Sequence, residues 1–339
     1  MSPSRREFVR SAAGAAAVGI ISAIDPATAQ AKSSGSPQDI LALFKSLPGD
    51  VAVKILAPAT NGKPEFLVES NAAKVLFVGS AFKSFVLCEA LRQADAPDVS
   101  RTIAAQQLTL DASVWSFDSA SFNPPNLIGK VSERTALEAM ILHSDNTATD
   151  MCLKHVGPDK VRAQIAAMGL KNTTIPDSTR AFIGYLLAAK DHQAFTWEAL
   201  TAAANQPMTN APLNKVSTMS SSADDFVAYY SRALQGEFFK NSQTLSQFRQ
   251  ILSMGDAIWK MPMPLGVSAF TKGGSIDVPG FHALCVPGGM FFADRWVYFC
   301  LTINWTAAAE TDPATVQAFA GAASQALQLV KDTLSASRR

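Results

Sequence analysis

Val75-Leu76-Phe77-Val78-Gly79-Ser80-Ala81-Phe82-Lys83-Ser84-Phe85-Val86-Leu87 is the stretch on which the reading of this chain turns. Val75 to Val78 is an apolar, strand-like run, and a helical pattern follows from Ala81 to Ala90. Ser80 and Lys83 stand three apart at the opening of that helix, so both side chains fall on one helical face. A serine hydroxyl is a poor nucleophile until a base takes its proton. A lysine amine can be that base only where burial or a neighbouring cation lowers its pKa. The helix N-terminus also aims backbone N–H groups at a developing oxyanion. By itself S-x-x-K occurs by chance in many chains, so its neighbours in sequence must decide.

Two further motifs lie downstream. Ser144-Asp145-Asn146 follows the helical run Thr135 to His143. A hydroxyl there can relay a proton to a leaving amine and an amide can hold a substrate, although the same triplet also suits plain helix capping. Lys272-Gly273-Gly274-Ser275 ends the strand-like run Ser268-Ala269-Phe270. Glycines at a strand end let a substrate approach the backbone, and a plain turn is the alternative. Ser80 to Ser144 is 64 residues and Ser144 to Lys272 is 128.

Outward from the motifs, the chain reads as strands at both ends and helices between. Residues 38–47 read as a short helix stopped by Pro48-Gly49. Val51 to Leu56 and Phe66 to Val68 read as strands joined through an Asn61-Gly62 turn. Helical patterns run over Glu133 to His143, Lys160 to Met168 and Asp224 to Leu234. Strands return over Ser268 to Lys272, His282 to Val286 and Trp296 to Asn304, with Pro287-Gly288-Gly289 read as the turn between the last two. Thr311 or Asp312 caps a final helix with Pro313 in its first turn. Val316, Phe319, Ala323, Leu327, Val330 and Leu334 form its apolar stripe. This order predicts α/β plus all-α architecture: one antiparallel sheet flanked by terminal helices, with a helical lobe inserted. Residues 32–79 and 256–339 would make the α/β lobe and 80–255 the helical lobe, with a cleft between them for a site.

S-x-x-K, S-D-N and K-T-G in that order are the signature of class A β-lactamases and penicillin-binding proteins. The chain resembles this family of penicillin-recognising serine hydrolases, class A most closely. Val51 to Leu87, Val131-Ser132-Glu133-Arg134 through Asp150, and Gly157 to Leu170 resemble its successive elements. The resemblance implies that Ser80 is the acylated nucleophile and that Lys83 helps to deprotonate it. Ser144 would pass a proton to the leaving nitrogen, Asn146 would hold substrate and Lys83, and Lys272 would supply positive potential. The N–H groups of Ser80 and Ser275 would form the oxyanion hole. Gly273 and Gly274 would line the substrate, and Trp115 falls where the family carries an aromatic at the cleft mouth; core packing is its other reading.

The chain also departs from the family. Gly273 stands where Ser or Thr usually helps bind the substrate carboxylate. The Arg expected on the next strand is replaced around Phe281-His282, where His282 could carry charge. The glutamate that activates the hydrolytic water in class A enzymes is missing from Ile175-Pro176-Asp177-Ser178-Thr179-Arg180, where spacing expects it. The segment on to Ser217 is longer than usual by about two dozen residues, as an Ω-loop insertion would be. Glu198, within Trp197-Glu198-Ala199-Leu200, and Asp177 are the substitutes the segment offers, and each also has a purely structural reading.

Composition bounds the rest. The chain has 339 residues, 48% hydrophobic and 17% charged, with a formal net charge of +1. That excludes a nucleic-acid binder acting through bulk basicity, and argues against disorder. Ser4-Arg5-Arg6-Glu7-Phe8 precedes an apolar run from Ser11 to Ile24 and an Ala29-Gln30-Ala31 cleavage pattern. Residues 1–31 therefore read as an export signal of the twin-arginine type, with an ordinary secretory signal or an amphipathic anchor as alternatives. The mature chain from Lys32 carries 26 basic and 26 acidic side chains. It is expected to be periplasmic or secreted, monomeric and off the membrane. Cys88, Cys152, Cys285 and Cys300 suit buried thiols at least as well as bridges, and no metal or cofactor motif is present. The expected activity is hydrolysis of β-lactams or a related amide or ester, with no cofactor. The alternatives are a penicillin-binding peptidase or sensor that deacylates slowly, an esterase on the same fold, and a binding module that kept the fold alone.

Overall fold

Strands from the two ends of the chain share one antiparallel sheet, as the pattern of elements predicts. A computed structural model describes residues 35–60 and 62–336. The expected export signal over 1–31 lies outside the described residues. Ser36 caps helix α1 (Pro37–Ala42) by accepting the Asp39 N–H while Asp39 accepts its own, a reciprocal capping box. Short i→i+3 turns then carry the chain to Leu47. β1 (Asp50–Ala57) and β2 (Phe66–Ser70) form an antiparallel pair, with Ile55 opposite Val68. β3 (Leu76–Phe77) is clamped by Asn304, whose amide accepts the Phe77 N–H at 2.8 Å and donates to its carbonyl at 2.9 Å.

A turn over Gly79–Phe82 leads into α2 (Lys83–Gln93), followed by α3 (Val99–Ala105) and the small pair β4 (Gln107–Leu110) and β5 (Gly129–Ser132). α4 (Glu133–Leu142) starts at the Ser132 cap, and α5 (Asn146–Val156) starts at the Asp145 cap. α6 (Pro158–Ala167) begins with proline, where no N–H is needed. α7 (Thr179–Leu186) and the short α8 (Trp197–Ala202) belong to the long segment after Ile175. β6 (Ser220–Ser221) pairs with β3. α9 (Ala223–Ala233), α10 (Ser242–Leu252) and α11 (Ala257–Lys260) return the chain to the sheet.

The sheet is completed by β7 (Ser268–Thr271), β8 (Gly274–Val278), β9 (Phe281–Phe292) and β10 (Arg295–Trp305). Its order is β2-β1-β10-β9-β7, with β8 also paired to β9. Along β10, Val297, Phe299, Leu301 and Ile303 join Ile40, Phe319, Leu327 and Val330 in one core, the last three from α12 (Pro313–Ala336). Tyr298 and Cys300, alternating with them, join the second core, built on α2, α4, α5 and α9. The two-residue period of a strand thus serves a core on each face. Asp312 caps α12 through the Thr315 N–H, as read from the sequence.

One expected turn is absent. Pro287, Gly288 and Gly289 lie inside β9, and the chain reverses at Ala293-Asp294, both at positive φ. The β7 ladder stops at Gly288 and the β8 ladder starts at Cys285, so Pro287, with no N–H to give, falls in the break. The glycines are there for packing. A Cβ on Gly288 would lie 2.6 Å from the Phe270 carbonyl oxygen, and one on Gly289 would lie 2.5 Å from Leu234.

Candidate active site

Two glycines set Ser80 against the sheet. Gly79 turns at φ +51°, where a Cβ would stand 2.8 Å from both N and O of Ser275. A Cβ on Gly274 would stand 2.0 Å from the Val78 carbonyl, 2.5 Å from Ala81 N and 2.8 Å from Ser80 N. Only hydrogen fits at either place, so the start of β8 lies against the turn that carries Ser80. The backbone nitrogens of Ser80 and Ser275 become neighbours through this contact. Ser80 is half-buried and Ser275 exposed.

Lys83 is fully buried. Its Nζ donates to the Ser144 carbonyl at 2.6 Å and to Asn146 Oδ1 at 2.7 Å, and lies 3.3 Å from Ser144 Oγ. Burial, reinforced by the Lys272 charge, lowers its pKa to about 7; Asp145, Asp256 and Asp150 act in the opposite direction. Ser144 adopts φ +57°. Asp145 between the two motif residues is structural: Oδ1 accepts the Ala148 N–H at 2.8 Å, and Oδ2 accepts those of Ser121 and Phe122. The capping reading of the triplet therefore holds, with the middle residue as the cap.

Lys272 is also fully buried, and its ammonium has a partner that the sequence did not announce. It donates to Asp256 Oδ1 at 2.8 Å and to the Gly273 carbonyl at 2.6 Å. Asp256 Oδ1 also accepts the Gly273 N–H at 3.1 Å, while Oδ2 takes Lys260 at 3.0 Å. Burial alone would raise the Asp256 pKa; Lys272 and Lys260 outweigh it and hold it at about 2. Burial lowers Lys272 from its ordinary range despite Asp256. A Cβ on Gly273 would lie 3.2 Å from Ala257 Cβ, so this position is packed as well as lacking a hydroxyl. Asp256 follows Gly255 with no local pattern to mark it; only a fold that brings it back onto Lys272 gives it a role.

Trp115, Ser80, Lys83, Ser144, Asn146 and Lys272 come from different elements. The hydrogen bonds above join Lys83 directly to Ser144 and Asn146, and the glycine contacts join Ser80 to the Lys272 strand. Trp115 is half-buried and meets Trp197 edge-to-face at 5.6 Å; Phe117 meets the same ring at 5.7 Å. The long segment after Ile175 thus packs an aromatic side chain on the loop that bears Trp115.

Thr179 lies in the segment, residues 175–180, where the resemblance expects a glutamate. Its N–H donates to Asp150 Oδ1 at 2.6 Å, and its hydroxyl lies 2.9 Å from both Asp150 Oδ1 and Ser116 Oγ. The Arg180 N–H donates to the other Asp150 oxygen. Burial pushes Asp150 up to about 6, against those hydrogen bonds. Asp177 is in an ion pair with Arg162, and Glu198 is exposed on α8. His282 is fully buried, with Nδ1 2.7 Å from Asp277 Oδ1, Nε2 3.3 Å from the Ala307 carbonyl, and its ring stacked on Trp305. With both nitrogens engaged, it offers none to a ligand.

All four cysteines are free and buried. Cys285 and Cys300 sulfurs lie 3.9 Å apart, and burial pushes the Cys88 thiol up to about 12. Among the described residues no group of three or more His, Cys, Asp or Glu could hold a metal ion, and no helix is long and apolar enough to cross a membrane.

Comparison with known proteins gives consistent results. A model described as the beta-lactamase enzyme family matches residues 36–327. Among solved structures, PBP-A matches with a TM-score of 0.64 at 16% identity, over 88% of this chain and 95% of that one. The TLA-3 extended-spectrum β-lactamase matches at 0.65 and 17% identity, over 88% and 98%. A β-lactamase from Chitinophaga pinensis matches at 0.65 and 15% identity, over 87% and 97%. At these identities the structural likeness is one of fold. No curated protein sequence matches the chain.

Proposed function

Because the chain belongs to the beta-lactamase enzyme family, as a serine β-lactamase-like hydrolase, we propose that it opens β-lactam amides, or a related amide or ester, through an acyl-enzyme on Ser80. The observation that carries this reading is the setting of Lys83. A neutral amine has two N–H groups and one lone pair. The Ser144 carbonyl and Asn146 Oδ1 take both N–H groups. The lone pair is left for a hydroxyl proton, and a pKa of about 7 keeps much of the amine neutral at physiological pH.

In this mechanism Lys83 accepts the Ser80 proton as Oγ attacks the carbonyl carbon. The Ser80 and Ser275 N–H groups stabilise the oxyanion. As the C–N bond breaks, Ser144 gives its proton to the leaving nitrogen and recovers one from Lys83, 3.3 Å away. Asn146 orients substrate and amine together. Lys272 draws a negatively charged substrate without needing a Gly273 hydroxyl. Trp115, Gly273 and Gly274 border the substrate, which enters between an α/β lobe (32–79 and 256–339) and a helical lobe (80–255). In this proposal the protein is of class A type, monomeric, and exported by its twin-arginine signal to the periplasm or beyond, free of the membrane.

Intact-protein mass after mixing with benzylpenicillin, and separately with an activated ester, tests the reading. The expected result is a Ser80 adduct followed by product. No adduct and no turnover, or equal reaction by Ser80→Ala, overturns it. A second reading has one observation in its favour, the lack of a glutamate in residues 175–180: the chain acylates but releases its product slowly, as a penicillin-binding peptidase or sensor would. One matched structure is described as a PBP-A mutant in an acyl-enzyme complex with penicillin G. A persistent wild-type adduct is the result that reading expects.

A further inference from the structure

The loop that carries Trp115 runs from Leu110, the end of β4, to Gly129, the start of β5. A connection of that length needs fastening points of its own. Beyond Trp115, each residue of Asp145-Asn146-Thr147 provides one. Asp145 Oδ2 accepts the Ser121 and Phe122 N–H groups, and the Asn146 N–H donates to the Asp118 carbonyl at 3.3 Å. Thr147 Oγ1 accepts the Ser116 N–H at 3.0 Å. Up to Trp115 the fastener is one side chain, Arg180 of α7. Its Nη1 donates to the Ala112 carbonyl at 2.7 Å and to the Trp115 carbonyl at 3.1 Å, and its Nη2 to the Ser113 carbonyl at 2.9 Å.

The two sets of bonds meet on one peptide unit. The carbonyl of Trp115 and the N–H of Ser116 belong to the same planar group. Arg180 holds its oxygen and Thr147 holds its nitrogen. The plane is fixed in orientation, and with it the backbone from which the Trp115 ring projects. That ring has no polar anchor of its own: its Nε1 is buried without a hydrogen-bond partner among the described residues. Arg180 is itself held. Its N–H, and the N–H and hydroxyl of Thr179 before it, donate to Asp150, one turn along α5 from Asn146. Thr147 adjoins Asn146, whose Oδ1 holds Lys83. The Trp115 wall and the Lys83 amine are thus both set by the first turn of α5.

We propose that Arg180 is a positioning residue for substrate: by holding the 115–116 peptide against Thr147, it sets the Trp115 ring as a wall of the cleft. This rests on the Ser80 acyl-enzyme reading, in which Trp115 borders the substrate. A guanidinium suits the task, because its planar fork presents several N–H groups in fixed directions where an ammonium is a single point. Arg180 acts on the wall and not on the reacting atoms. Its loss therefore weakens substrate binding and leaves the chemical step nearly as fast.

The test follows Ser80 adduct formation against benzylpenicillin concentration, by quenched flow and intact mass, for Arg180→Ala and Arg180→Lys, each with and without Trp115→Ala. Arg180→Ala is expected to raise the half-saturating concentration about 3–10-fold and to leave the limiting acylation rate within about twofold of wild type. Arg180→Lys keeps the charge and the stem, so it is expected to fold and to fall between the two. In the Trp115→Ala background both Arg180 substitutions should change neither quantity, because Arg180 acts through that ring. A loss of equal size in both backgrounds, or one confined to the limiting rate, overturns the inference. Hydrogen exchange of peptides spanning residues 112–119 reads the clamp without substrate. Faster exchange in Arg180→Ala supports the clamp, and exchange equal to wild type overturns it. Absence of any wild-type adduct overturns the Ser80 reading, while the exchange comparison still decides the clamp.

Discussion

Lys272 has no water around its charge, and Asp256 supplies what water would. Their 2.8 Å contact lies wholly inside the protein. Removing one partner leaves the other charge buried and unpaired, which typically costs about 3–5 kcal/mol. Asp256→Asn should therefore show a lowered denaturant midpoint at pH 7, together with weaker acylation. The difference should shrink as pH falls towards about 2, because the folded carboxyl then begins to protonate. Glu133 has the opposite sign. Burial raises its carboxyl to about 7, so the folded state favours the protonated form. Its favourable contribution is complete below the ordinary glutamate range and is lost as pH rises through about 7. Glu133→Gln should raise Tm at pH 8 and change it little at pH 4. In the proposed mechanism Lys83 works as the neutral amine, so acylation should fall about tenfold per pH unit below about 7. A flat acylation profile between pH 5 and 7, read by stopped flow, would contradict that assignment.

At the scale of elements, the helices were the most legible. Their caps and stripes are local, so Asp145 before α5 and Pro313 in α12 could each be read in place. The motif residues were legible for a different reason: each carries its chemistry in its own side chain. Asp256 was not, because a carboxylate's role depends on what the fold returns to it. The Pro287-Gly288-Gly289 reading failed for a related reason. Glycine serves turns and close packing alike, and only the neighbours of β9 tell them apart. Gly274→Ala tests the close-packing role directly. Its Cβ would meet backbone atoms at 2.0 and 2.5 Å, so β8 must retreat from the Ser80 turn. The expected cost is about 1–3 kcal/mol by chemical denaturation. Acylation should drop by about 10²-fold or more as the Ser275 N–H moves off target.

At the scale of the molecule, the extra length expected after Ile175 is put to use against the site. α8 sets Trp197 on Trp115 and Phe117, two edge contacts typically worth about 0.5–1.5 kcal/mol each. Trp197→Ala should lower stability by an amount of that order. It should also raise KM more than it lowers kcat, since it loosens a wall and not the reacting groups; equal KM values in a steady-state comparison would show that Trp115 stands without it. The sheet has its own consequence. β1, at residues 50–57, lies between β2 and β10, and Asn304 of β10 clamps the strand that leads to Ser80. During translation, some 240 residues must leave the ribosome after β1 before its second neighbour exists, a closure of very high contact order. An interrupted product that stops before residue 295 would lack both that neighbour and the clamp. The strand leading to Ser80 is thus clamped only in a chain that has reached Asn304, and a product that stops short of it is expected to lack the proposed activity.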